Sequence, residues 1–408
     1  MSRPGSNLHW LLDHADFRRL WGIGAGVGVG RWLEMLALGI YVFQITGSPS
    51  KVALVAIVRM LPYALFGFLI GALADYVDRK RLLVLGMGVA VASAGSMSVL
   101  AALGLASYGF VLLVTAALGT IWVIDMPVRR RLLVDAVGPD RMPAALGLDN
   151  STNYAMRAAG PLLGGLIYQW LGVEGIFAVS AAIYALGLFQ ALRLGVPGGG
   201  RAPGTALPSI RALLTPPPGL FANRQFLIML GVTAVYNLWC FPVLGMVPVI
   251  AQKDFLLGPA AVGALSACDG IGGTLGALVV GLTARTGTLF RYYYFGVLGF
   301  LALLMGIATH LTVGPTIVGL LCIGVCAACF SATQYGLVYS LSTPETRGRA
   351  TGFVSLFISL ATIGHFHTGL MFDWLPSAQA LAIIAAEGLA VSLVLGWLWW
   401  RGAVTPRP

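Results

Sequence analysis

Residues 51–81 read KVALVAIVRMLPYALFGFLIGALADYVDRKR, and this stretch decides the fold. Between Lys51 and Asp75 one charge, Arg59, interrupts a run of apolar side chains, and the run stops at Asp75, Asp78, Arg79, Lys80 and Arg81. A helix needs about 20 apolar residues to cross the hydrocarbon of a bilayer, so the stretch is a membrane span followed by a charged loop. The whole chain has the same character: its 408 residues are 58% hydrophobic and 10% charged, with a mean hydropathy of +0.86. An ordinary soluble domain has about a quarter of its residues charged. So few charges cannot wet a folded surface of this size, and so much apolar material excludes disorder.

Working outward with the same window gives spans at 19–46, 51–75, 82–103, 107–128, 143–169, 173–193, 225–250, 259–283, 291–309, 313–342, 349–372 and 377–400, numbered 1 to 12. Turn chemistry marks the gaps, as in Gly47-Ser48-Pro49, Gly138-Pro139-Asp140 and Gly258-Pro259. The expected fold is an all-α membrane protein of twelve transmembrane helices. The five cysteines all lie in apolar runs with no disulfide-framework spacing, and the residues before span 1 lack the pattern of a cleavable signal peptide, so none is expected there.

The net charge of +10 is that of a nucleic-acid binder, but its distribution is not. Arg18, Arg19, the Arg79-Lys80-Arg81 and Arg129-Arg130-Arg131 clusters, Arg141, Arg193, Arg224, Arg285, Arg291, Arg347, Arg349 and Arg401 all fall in alternate gaps or at the ends of the chain. Only Lys51 and Lys253 fall in the other gaps. By the positive-inside rule both termini are cytoplasmic, in the inner membrane of a cell. The stretch between Arg193 and Arg224, with Pro197-Gly198-Gly199-Gly200 and Pro216-Pro217-Pro218, reads as a linker. The expected organisation is therefore a cytoplasmic segment 1–18, a six-helix bundle 19–193, a cytoplasmic linker 194–224, a second six-helix bundle 225–400 and a tail 401–408. The halves are diverged copies. At an offset of 205, Pro139-Asp140 falls on Pro344-Glu345, Gly147 on Gly352 and Gly164 on Gly369, while Pro49 falls on Pro259 at 210.

Two pseudo-symmetric six-helix bundles joined by a basic loop resemble the major facilitator superfamily, whose substrate sites lie near mid-membrane between the halves. The local motifs carry the resemblance further. Gly71-Ala-Leu-Ala-Asp75-Tyr-Val-Asp78-Arg79-Lys80-Arg81 is similar to the loop signature G-x-x-x-D-[RK]-x-G-R-[RK], with Tyr76 and Asp78 as departures. Asp78, together with Phe17-Arg18-Arg19-Leu20-Trp21, Thr46-Gly47-Ser48-Pro49 and Arg347-Gly348-Arg349, resembles a branch that includes the enterobactin exporter and macrolide efflux pumps. In span 5, Gly147, Gly160, Pro161, Gly164 and Gly165 match the antiporter signature, with Met156 where a Gly is usual. The resemblance implies efflux driven by proton antiport. It also implies a gate in which Asp75 meets span 11 and Arg79 meets an acid at the end of span 4, where Asp125 sits.

Span 4 lacks the R-x-x-Q-G pattern of many proton-coupled relatives, so the coupling group is sought among ionisable residues inside the membrane, which are functional candidates by default. The first half carries Arg31, Glu34, Arg59, Asp125, Asp149 and Arg157, three positive and three negative. Arg31 and Glu34 are three apart and share a helix face, and with Arg157 they lie near mid-depth. A carboxyl whose arginine contact comes and goes with conformation loads and releases a proton. Glu34 is the first candidate, with Arg31 and Arg157 as its charged surroundings, and Asp269 the second. A permanent ion pair holding the bundle together is the competing role for Glu34. Arg59, Asn153, Asn237, Gln334 and His365 are the candidates for lining a substrate cavity, since a buried polar group needs a partner.

Cys322, Cys326 and Cys329 share one face of span 10, and His365, His367 and Met371 lie on span 11. Soft sulfur and imidazole ligands suit transition metals, which keeps a metal or metal-chelate transporter as an alternative, though no metal site is assigned. A receptor or scaffold on the same fold is a third reading. No P-loop and no hydrolytic or redox constellation is present, so an enzyme is not expected, nor a cofactor. The expected partners are a small-molecule substrate, protons and the lipid bilayer, with the protein a monomer. The leading reading is a secondary active, proton-coupled exporter of an amphipathic organic compound such as a drug or siderophore.

Overall fold

The computed structural model describes residues 10–73, 78–138, 140–196, 219–343 and 346–404. The described residues are helical throughout their regular structure, with no strand among them. Nine stretches among them are long and apolar enough to cross a membrane, and Tyr108–Ile124 is a shorter apolar helix. The backbone forms two compact units, Met1–Tyr41 with Val58–Leu207, and Val42–Ile57 with Pro208–Pro408. The expected linker 194–224 lies largely outside the described residues.

The helices of the first unit are α1 (Ala15–Thr46, to Tyr41), α2 (Pro49–Leu73, from Val58), α3 (Arg79–Ala102), α4 (Tyr108–Ile124), α5 (Arg130–Val137) and α6 (Met142–Leu192). Their ends are chemically marked. The Asp78 carboxylate accepts from the Arg81 N–H at 3.1 Å and caps α3, and Ser107 accepts from Phe110 N–H at 3.3 Å and caps α4. The expected spans 5 and 6 both fall within α6, which is broken at Gly172 (φ 64°, ψ −168°), a conformation open to glycine because it has no Cβ. Asp125–Arg129 forms a single π turn between α4 and α5. Phe17, Leu20, Leu33, Met87, Phe177 and Tyr184 are buried in this unit.

The second unit contains α7 (Arg224–Val235), a π turn (Tyr236–Cys240), α8 (Phe241–Leu244), α9 (Val247–Lys253), α10 (Pro259–Thr283), α11 (Leu289–Thr309), α12 (Val313–Leu341), α13 (Arg347–Ile358), α14 (Ala361–Trp374) and α15 (Ser377–Val404). Here glycine lets backbones touch. A Cβ on Gly272 of α10 would strike the Leu321 carbonyl of α12, and one on Gly324 of α12 would strike the Asp269 carbonyl of α10. In lipid, where apolar burial gives helices no preference for each other, such close backbone approach is a main source of attraction. An aromatic stack fills the space beside them: Tyr236 lies on Phe330 at 4.0 Å and Phe330 on Tyr293 at 4.7 Å. The turn at Gly47 (φ 63°) belongs to this unit, where the Ser50 N–H donates to Asp373 Oδ1 at 3.3 Å.

The packing at Gly272 is testable against Gly281, which has open space around it. Gly281→Ala should hold or raise the melting temperature in detergent, because Ala is favoured over Gly in a helix by about 0.5–1 kcal/mol. Gly272→Ala should lower it, since overpacking costs about 1–3 kcal/mol.

Candidate functional site

The chemistry of the first unit collects around α1, at two depths. Nearer the basic end, Arg129 is 3% exposed. Its guanidinium donates to Asp149 at 2.8 and 3.3 Å, to Asp125 through Nε and through Nη2 at 3.4 Å, and to the Leu20 carbonyl of α1 at 3.3 Å. Arg130 adds a second donor to Asp149 at 3.0 Å. Asp125 and Arg129 are the first and last residues of the π turn, four apart and so on one face, and a Cβ on Gly24 of α1 would collide with the guanidinium. Arg129 belongs by sequence to a run of three arginines at a span end, which reads as topogenic charge. Only its burial separates it from Arg131, whose side chain is 60% exposed.

Deeper in α1, Glu34 is wholly buried. Its Oε2 accepts from Arg59 Nη2 of α2 at 2.8 Å, and its Oε1 accepts from the Tyr184 hydroxyl of α6 at 2.8 Å. Two glycines make room. A Cβ on Gly30 would sit 2.6 Å from the Tyr184 hydroxyl, and one on Gly119 of α4 would strike the Arg59 carbonyl. Around this core Arg31 lies over the Trp122 ring at 4.6 Å, Trp122 stacks on Tyr63 at 5.9 Å, and Arg157 lies over Trp32 at 5.4 Å. Arg59 Nη1 and Trp32 Nε1 are buried without a hydrogen-bond partner among the described residues. Sequence reasoning named Glu34, Arg31, Arg59 and Arg157 but not Tyr184, since a tyrosine in span 6 carries no pattern pointing toward span 1.

The six charges expected to balance as one set are divided between these depths. Asp125 and Asp149 are taken up by Arg129, leaving Glu34 with the arginines of the deeper group. Arg79 also differs from expectation: it donates to Asp135 Oδ2 of α5 at 2.8 Å, whereas the acid expected for it, Asp125, is bound to Arg129. The reason is the π turn and α5, which carry the chain on past Asp125 and supply a second acid ten residues later. Asp75 lies outside the described residues, as does the packing of Gly71, which is in the last turn of α2. In α6, Gly160 and Gly164 face α1, where a Cβ on Gly160 would strike Trp32 and one on Gly164 would lie 3.2 Å from Leu36. Pro161 and Gly165 are buried, whereas Gly147 has open space and Asn153 is exposed.

In the second unit the expected polar residues are tied locally. Asn237 Nδ2 donates to the Thr233 carbonyl at 2.8 Å, Gln334 Nε2 reaches the Thr233 hydroxyl at 3.5 Å, and that hydroxyl shares a hydrogen bond with Tyr293 at 2.6 Å. His365 is buried with Nδ1 2.7 Å from the Ala361 carbonyl and its ring edge-on to Phe241. Asp269 is buried in α10 beside Gly324. Glu387 accepts from Trp239 Nε1 at 2.8 Å and has His367 at 3.4 Å. Among the described residues no three His, Cys, Asp or Glu side chains come together as a metal site. Cys326 and Cys329 instead border Gly296 of α11.

The family model of the Major Facilitator Superfamily matches residues 20–365. Macrolide efflux protein A of Streptococcus pyogenes is 22% identical over 377 residues, 90% of each chain. The uncharacterized MFS-type transporter YfiS of Bacillus subtilis (strain 168) is 24% identical over 387 residues, 90% of this chain and 89% of its own. Among solved structures, a bacterial homologue of the human lysosomal transporter Spinster superposes with a TM-score of 0.70 at 15% identity, covering 98% of this chain and 96% of that one. At that identity the likeness is one of fold.

Burial separates two arginines of the basic end. Arg129→Gln leaves two buried carboxylates short of their donor and should destabilise by about 3–5 kcal/mol, seen as a large fall in melting temperature in detergent. Arg81→Gln, at a side chain 84% exposed, should leave it unchanged.

Proposed function

Because the chain belongs to the Major Facilitator Superfamily, we propose that it is a secondary active exporter of an amphipathic organic compound, a drug or siderophore, coupled to protons through Glu34. In this reading twelve helices cross the inner membrane with both termini in the cytoplasm, and the two bundles rock between two packings about a central site. The export direction and the substrate class draw on the relatives named for macrolide efflux.

The single observation that carries the coupling is the Glu34 contact. One buried carboxylate holds a donor from α2 and a donor from α6 at once. A proton on Glu34 removes the charge that binds Arg59 and leaves a buried guanidinium uncompensated, a loss of about 3–5 kcal/mol for a broken buried pair. Swinging a two-state equilibrium from 1:99 to 99:1 takes about 5.5 kcal/mol, so one proton here is of the right size to exchange one helix packing for another. Arg59 Nη1 and Trp32 Nε1 supply unmet donors beside the switch. The Trp32, Trp122 and Tyr63 rings supply apolar surface with polar edges, which suits an amphipathic compound. Asp75, Arg79 and Asp135 serve as the gate at the basic end, and Gly160, Pro161 and Gly164 set the close approach of α6 to α1.

The reading is tested in proteoliposomes carrying a pH gradient, with a panel of macrolides, other amphipathic drugs and siderophores. Wild type should move at least one compound and dissipate the gradient as it does so. Glu34→Gln should abolish gradient-driven transport while still giving a substrate-induced thermal shift. Gradient-driven flux undiminished in Glu34→Gln rules Glu34 out as the coupling group.

A further inference from the structure

A second candidate binding surface lies wholly within the second unit. Between α11 and α12 there is a groove of about 360 Å³. One end is polar, formed by Thr288, Arg291 and Tyr292 at the start of α11. The other is apolar, formed by Phe295 and Gly296 on α11 and by Cys326 and Cys329 on α12. At 1.5 Å per residue the groove runs about 12 Å along α11. It opens outward, for Arg291 is exposed and Phe295 is 55% exposed.

The charge of this region is one-sided. No Asp or Glu occurs between Asp269 and Glu345, a stretch that contains Arg285 and Arg291. Arg291 forms no ion pair among the described residues, in contrast to Arg79, Arg129 and Arg130. Aromatic rings surround the same level. Phe290 packs on Trp399 at 4.7 Å, Tyr294 on the same ring at 5.8 Å, and Arg401 lies over Trp397 at 3.9 Å. Such a belt marks the depth of lipid headgroups, and basic pockets between helices at that depth bind anionic headgroups.

We infer that the groove holds a phospholipid with a net negative headgroup, taken from the leaflet on the basic side of the protein. The phosphate accepts from the Arg291 guanidinium at the polar end of the groove, beside Thr288 and Tyr292, and an acyl chain runs over Gly296 between Phe295 and the two cysteines. Gly296 keeps the floor of the groove low, and the cysteines are small and apolar enough to line it. Tyr292 also shares a hydrogen bond with Thr283 at the end of α10 at 2.8 Å. The lipid therefore bears on three helices, α10, α11 and α12, and acts as a wedge in their packing.

The test is native mass spectrometry of the full chain, delipidated and then titrated with phosphatidylglycerol, phosphatidylcholine or soluble glycerol phosphate. Wild type should retain phosphatidylglycerol over phosphatidylcholine and should not retain glycerol phosphate. One arginine near a membrane surface is worth about five-fold in binding an anionic lipid, so Arg291→Gln should lower the preference by that factor. Arg401→Gln, whose guanidinium lies on Trp397, should keep it. Cys329→Phe should fill the apolar end and reduce retention of both lipids. A preference unchanged by Arg291→Gln, retention unchanged by Cys329→Phe, or equal retention of glycerol phosphate would each overturn the assignment, as would a second copy of the chain occupying the face as a lipid-free dimer. Melting temperatures measured without lipid separate a lost site from a lost fold, and every readout is independent of transport.

Discussion

A buried guanidinium must spend its N–H groups or cost the protein several kilocalories, and Arg129 spends its own on two carboxylates and a main-chain carbonyl. That demand organises the first unit. It draws together α1 through Leu20, the π turn through Asp125 and α6 through Asp149, and it obliges α1 to carry glycine at position 24. Fourteen residues beyond Leu20 along α1, or about 21 Å, Glu34 makes a second tie, to α2 and again to α6. The two ties share helices but differ in saturation. Arg129 is met on every side, whereas beside Glu34 the Arg59 Nη1 and the Trp32 Nε1 have no hydrogen-bond partner among the described residues. A saturated knot holds position; an incompletely satisfied one is where binding or protonation changes the energy most.

How far the sequence could be read follows from which forces act on it. The span positions were legible because the bilayer imposes length and apolarity on every crossing. Thus the expected span 259–283 coincides with Pro259–Thr283, and the boundary between spans 5 and 6 falls at Gly172. The ionisable candidates were legible too, since a charge in an apolar run stands out. Their partners were not. Pairing depends on how each helix is rotated about its axis, and a π turn shifts that rotation without leaving a trace in hydropathy. For this reason Arg129 reads as one more topogenic arginine, Arg79 seems destined for Asp125 though it meets Asp135, and Tyr184 gives no hint of Glu34.

The second unit solves the burial problem by other means. At the offset of 205 Arg129 falls on Gln334 and Asp149 on Val354. Where that offset puts the guanidinium hub there is an amide that reaches a threonine hydroxyl. Asn237 and His365 turn back on nearby main-chain carbonyls, of Thr233 and Ala361, while the Thr233 hydroxyl donates to the Met229 carbonyl and shares a hydrogen bond with Tyr293 of α11. These inter-helix ties are neutral hydrogen bonds, so cohesion here draws on glycine contacts between α10 and α12, on the Tyr236, Phe330 and Tyr293 stack and on the Thr233 hydroxyl.

This difference bears on where energy can be transduced. A contact made by shape alone, such as Gly324 on the Asp269 carbonyl, is insensitive to protons and to small charged ligands. A contact between Glu34 and Arg59 changes by several kilocalories when one proton is added. If the two halves move against each other, a unit held by shape serves as a rigid body and a unit held by charge serves as the responsive one. Buried ion pairs are then a feature of the first unit among the described residues. In the second unit the stretch between Asp269 and Glu345 contains no acid at all, and it leaves Arg285 and Arg291 without a nearby acid in the sequence. Outside the membrane core, counter-charge of that kind comes most readily from lipid.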